Sequence, residues 1–135
     1  MVVKQYVLEN RVMIKDKLYS LVHLEDDTIN DEVYYLELAC IPVGGGLNQY
    51  NVMIMFDINR DNSITAYHYG IQVFEVDDKG NFTYNYERYN LDQYLEGTNS
   101  SIDKIKSYLH KCGQSEWLLR NAKHKGKDKG LEDYG

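Results

Sequence analysis

From Val52 through Ile54 and Phe56 to Ile58, apolar side chains fall on every second residue, with Asn51, Met53, Met55 and Asp57 between them. A period of two marks a strand with one buried face, and it recurs along most of the chain. Val12–Ile14 and Leu18–Leu24 flank a turn at Lys15-Asp16-Lys17. In the second of these, Leu18, Val22 and Leu24 share one face while Tyr19, Leu21 and His23 share the other. Val33–Ile41 is apolar on both faces apart from Glu37, as expected of a covered central strand, and Pro42 ends it. Ile64–Val76 reads as a long strand whose apolar phase blurs near Gly70, where a bulge is expected. The turn residues Asp77-Asp78-Lys79-Gly80-Asn81 then lead into Phe82–Tyr89, with Phe82, Tyr84 and Tyr86 on one face.

After Ser101 the period changes. Ile102, Ile105, Leu109 and Cys112 fall at helical spacing on one stripe. Ser101 is placed to cap this helix and Gly113 to end it, with a second, shorter helix from Ser115 carrying Trp117, Leu118 and Leu119. A one-sided sheet and a helix with a narrow apolar stripe each supply the cover the other needs. The expected fold is therefore α+β in two layers: an antiparallel meander of five to six strands against one C-terminal helix. Residues 1–120 form the single domain, and 121–135 form a basic, flexible tail.

Charge is divided along the chain. Residues 1–119 carry 10 Lys/Arg against 18 Asp/Glu, a net −8, whereas residues 120–135 carry 5 against 3, a net +2. An acidic body argues against direct nucleic-acid binding through phosphate neutralisation. No apolar run approaches the roughly 18 residues that span a bilayer, and the first residues lack the pattern of a secretory signal, so a cytoplasmic protein is expected. Cys40 and Cys112 read as reduced structural thiols.

The chemistry-bearing strings are weak. Asp57, Asn59, Asp61 and Ser63 resemble the first half of a calcium loop, but its sixth and twelfth positions hold Asn62 and His68 rather than Gly and Glu. The same residue types build tight turns. Gly44-Gly45-Gly46 leads into a strand, not into the helix N-terminus that a phosphate loop requires. Cys112 near a helix C-terminus faces a dipole that opposes the thiolate. No pair of histidines has zinc-site spacing. Neither a cofactor nor a metal is expected.

What remains is a surface. Thirteen tyrosines, most of them on strands, combine apolar area with a polar tip, as binding surfaces do. Glu25, Asp26, Asp27, Asp31 and Glu32 crowd one loop. The expected function is non-catalytic: a small inhibitor or immunity-type factor of a phage or other microbial element, binding a partner protein through that acidic loop with Tyr84, Tyr86 and Tyr89 as anchors. A nucleic-acid-binding protein with a basic groove is a suitable partner. Lys123, Lys125, Lys127 and Lys129 add a tail contact, and a Tyr-rich open sheet suits a homodimer. Two alternatives stand beside this reading: a small hydrolase or nuclease centred on His68 with Asp57 and Asp61, or an RNA- or nucleotide-binding module that stacks bases on the sheet tyrosines above the lysine tail.

Overall fold

A computed structural model of the chain describes residues 10–23 and 34–134, with side chains throughout except at 84–86 and 122–134. Six strands, β1 (Arg11–Ile14), β2 (Lys17–His23), β3 (Tyr35–Pro42), β4 (Tyr50–Ile58), β5 (Ile64–Val76) and β6 (Phe82–Asn90), lie in the order of the sequence. All neighbours are antiparallel. A short helix α1 (Leu91–Leu95) and a long helix α2 (Ile102–Tyr134) follow. The expected two-layer α+β meander is the fold, and each strand falls within a residue or two of its expected place.

The core lies between α2 and one face of the sheet. Val12 and Ile14, Tyr19 and Leu21, Leu36 and Leu38, Val52, Ile54 and Phe56, and Ile71 are buried there with Leu91, Leu95, Ile105 and Leu109. Fully burying an aliphatic side chain such as Ile105 or Leu109 stabilises by about 1.5–3 kcal/mol, so these two residues anchor the helix.

Two local expectations are corrected. The bulge lies not at Gly70 but where Met55 pairs with His68 and Phe56 pairs with Ala66, which leaves Tyr67 as the extra residue. Ile64 and Ala66 face the helix before it; Tyr69, Ile71 and Val73 face the helix after it. One inserted residue has inverted the phase, which is why the apolar pattern blurs.

Gly113 does not end the helix, which runs unbroken from Ile102 to Tyr134 and absorbs the separate short helix expected from Ser115. Gly113 is buried, and a Cβ there would lie 3.2 Å from Ile64 Cδ1 and from Phe56 Cε1. The missing Cβ lets the helix approach β4 and β5 closely at this point.

Ser101, at the start of α2, also bonds across to the sheet. Its hydroxyl accepts from the Met13 backbone N–H at 3.0 Å, and its own N–H donates to Met13 O at 2.9 Å. The Ser100 hydroxyl accepts from Lys15 N–H, and Asn99 donates to the Asp16 carboxylate. The chain entering α2 is thereby stitched to the β1–β2 turn, where Lys15 and Asp16 take positive φ.

Candidate functional site

Two features of the helix-covered side could carry function. The first is a cleft of about 230 Å³ between α2 and the ends of β2 and β3, lined by His23, Leu36, Tyr108, Lys111, Cys112, Ser115 and Glu116. The helix residues recur at three- and four-residue steps, so they form one face. His23 Nδ1 lies 3.7 Å from a Glu116 carboxylate oxygen. At the next helix residue, Trp117, Tyr34 makes an edge-on contact at 5.6 Å while stacking on Phe56 at 6.1 Å. His23 and Tyr34 flank residues 24–33, so both approaches to that acidic segment are held against neighbouring positions of α2. Cys112 lies mid-helix rather than at a helix end; burial pushes its thiol up despite a hydrogen bond from Tyr108. A thiol held neutral in this way is a poor nucleophile.

The second feature is a run of tyrosines from core to surface. Tyr19 meets Tyr50 edge-on at 5.7 Å, Tyr50 meets Tyr94 at 6.4 Å, and Tyr94 stacks on Tyr89 at 4.8 Å. Burial, then the neighbouring phenols of Tyr94 and Tyr19, push Tyr50 up to about 12. Lys15 Nζ lies 4.0 Å from the Tyr94 ring centroid and donates to its hydroxyl. Tyr89, 39% exposed, donates from its hydroxyl to the Glu87 carboxylate, and that bond raises its pKa. Tyr89 is thus braced from beneath and open above, a geometry suited to an anchoring aromatic.

Of the residues expected to bind a partner, Tyr89 is the one whose side chain is described. Glu25, Asp26, Asp27, Asp31 and Glu32 lie outside the described residues. The side chains of Tyr84, Tyr86, Lys123, Lys125, Lys127 and Lys129 do so too. Asp57 and His68 belong to the sheet face away from the helix, Asp57 opposite Thr65 and His68 opposite Met55. Asp61 is engaged in its own turn: its carboxylate accepts from the Ser63 backbone N–H and hydroxyl, which lowers its pKa. Asn59 donates to Ser63 and Thr65 instead of turning an oxygen toward a cation. Among the described residues no group of His, Cys, Asp and Glu could hold a metal ion. No helix there is long and apolar enough to cross a membrane.

The cleft was missed in the sequence because His23 is remote from Tyr108–Glu116 along the chain; only the pairing of β2 with β3 brings them together. Spacing could have shown that Tyr108, Lys111, Cys112 and Ser115 share a helix face, but not what faces them. No family model matches the chain, and no curated protein or solved structure matches it either.

Proposed function

We propose that the protein is a non-catalytic protein–protein interaction module, a small inhibitor or immunity-type factor. It engages its partner through the acidic segment Glu25, Asp26, Asp27, Asp31 and Glu32, with Tyr84, Tyr86 and Tyr89 as aromatic anchors. The observation that supports this most is that both flanks of that segment lie against α2, His23 beside Glu116 and Tyr34 edge-on to Trp117. A charged segment presented from fixed ends loses less conformational freedom on binding than one on loose ends. Its charge favours a partner with a basic groove, where complementarity speeds encounter and sets register.

The test is quantitative capture from host lysate at low and high salt, with wild-type protein and with the five acidic residues reversed to lysine. A single stoichiometric partner is expected, retained at least tenfold less by the reversed variant at low salt. Equal retention of that partner by both proteins would remove the acidic segment from the interface. Co-purifying nucleic acid released by high salt would favour the stacking reading instead.

A further inference from the structure

The sheet face turned away from α2 is not the polar surface that a one-sided antiparallel sheet ordinarily shows to water. Leu18 is 37% exposed, Val22 41% and Ile41 38%. They adjoin one another, because Ser20, between Leu18 and Val22, pairs with Ile41, while Val22 pairs with Ala39. Met13 opposite Leu18 extends the strip onto β1.

Two charged residues of opposite sign flank this strip on the same face. Arg11, opposite Ser20, stands on β1; Glu37, opposite Met53, stands on β3. Both are half-buried, and neither has an ion-pair partner among the described residues. Taking a charge partly out of water is costly unless it is paired, and two of opposite sign on one apolar face call for a common explanation.

The register supplies one. Arg11 is level with Ile41, two strands away and four residues along β3 from Glu37. Spacings of about 4.8 Å between strands and 3.3 Å per residue put their backbones about 16 Å apart, with Val22 at the midpoint. A two-fold axis lying over Val22, in the plane of the face and at right angles to the Arg11–Glu37 line, superposes the Arg11 position of one copy on the Glu37 position of the other, and the reverse. Ile41 falls close to the same axis, so Val22 and Ile41 each meet their own copy. The two sheets then cross at roughly 70°, within the near-orthogonal class of sheet packing.

We propose that this face is the interface of an isologous homodimer, in which Val22 and Ile41 pack about the two-fold axis and Arg11 of each copy pairs with Glu37 of the other. The occupant is a second copy because one patch holds both halves of the complementarity, which is the condition a two-fold interface imposes. This inference does not rest on the partner reading above, because none of Arg11, Val22, Glu37 and Ile41 belongs to the surface proposed there.

Sedimentation equilibrium of the full chain between 1 and 100 µM tests the proposal, with thermal melts to confirm folding. The wild type is expected to dimerise within that range. Arg11→Glu and Glu37→Arg are each expected to weaken the dimer at least tenfold, and the double exchange to return it to within about threefold of wild type, because reversing both signs restores both pairs. Should a reversal unfold the chain, Arg11→Gln and Glu37→Gln carry the test: each must weaken dimerisation and flatten its dependence on salt. A monomer throughout the range overturns the proposal and leaves the face to a different occupant. So does a dimer that the double exchange weakens by as much as the two single changes together.

Discussion

On β4, Val52, Ile54 and Phe56 point toward α2 and are sealed beneath it, whereas Asn51, Met53 and Met55 point the other way. There Asn51 and Met53 are buried among neighbouring side chains, and no helix of the described residues lies over them. The two faces of this strand share a backbone and differ in what constrains them. On the covered face every side chain has neighbours on all sides, so size and shape are fixed to within a methylene. On the open face methionines predominate at the centre, and their unbranched thioethers tolerate change. The covered face therefore sets the stability of the monomer, and the open face is left to other purposes.

The largest effect expected from this contrast is at Leu109. Leu109→Ala should cost about 3 kcal/mol in denaturant unfolding, through lost burial and a cavity beneath α2. Val22→Ala, measured dilute enough to keep the chain monomeric, should cost under about 1 kcal/mol. Equal losses would break the comparison.

The two close-packed glycines sharpen it. At Gly70, on the open face, a Cβ would lie 2.9 Å from Met53 Cγ; at Gly113, beneath the helix, it would lie 3.2 Å from the Phe56 ring. Contact distance alone ranks Gly70 as the more sensitive. The helix widens that difference, because alanine gains about 1 kcal/mol over glycine in a helix interior: Gly70→Ala should cost about 1–3 kcal/mol and Gly113→Ala about 1 kcal/mol less. A smaller loss, about 1 kcal/mol, is expected for Ser101→Ala, which leaves the Met13 N–H without its acceptor.

The smallest effect at neutral pH comes from Tyr50, whose phenol is held neutral by burial up to about 12 against an ordinary value of 10.0. The folded state thus binds this proton more tightly than the unfolded chain. Its contribution is complete below pH 10 and is lost as pH rises through 12. Alkaline melts should show Tm falling across that window, and Tyr50→Phe should make the fall shallower. An unchanged slope would place the titration elsewhere, for instance at Cys40, which burial also raises.

Strand number, order and the helix were legible because each rests on local periodicity and on turn residues such as Asp77–Asn81 and Asn59–Asn62. The roles of single residues were less so. Ser101 and Gly113 carry the residue types of a cap and a terminator, and both types have a second use: a hydroxyl can bond across to a strand, and a missing Cβ can admit a neighbouring ring. Only contacts distant in sequence show that second use. The acidic segment and the tyrosines were visible as composition, and the braced position of Tyr89 on Tyr94 was not, since Tyr94 lies on α1, past the end of the sheet.

Periodicity alone specifies an antiparallel meander of five to six strands with a helix laid on it, because a period of two or of 3.6 is a property of neighbouring residues. Tertiary packing decides the rest. It sets the Tyr67 bulge that turns His68 away from the helix, the close approach at Gly113, and the cleft joining His23 to Glu116. It also places Arg11 and Glu37 on either side of Val22, on one open face. Each of these depends on the register between strands or on the distance from helix to sheet, quantities fixed by the whole core rather than by any stretch of chain.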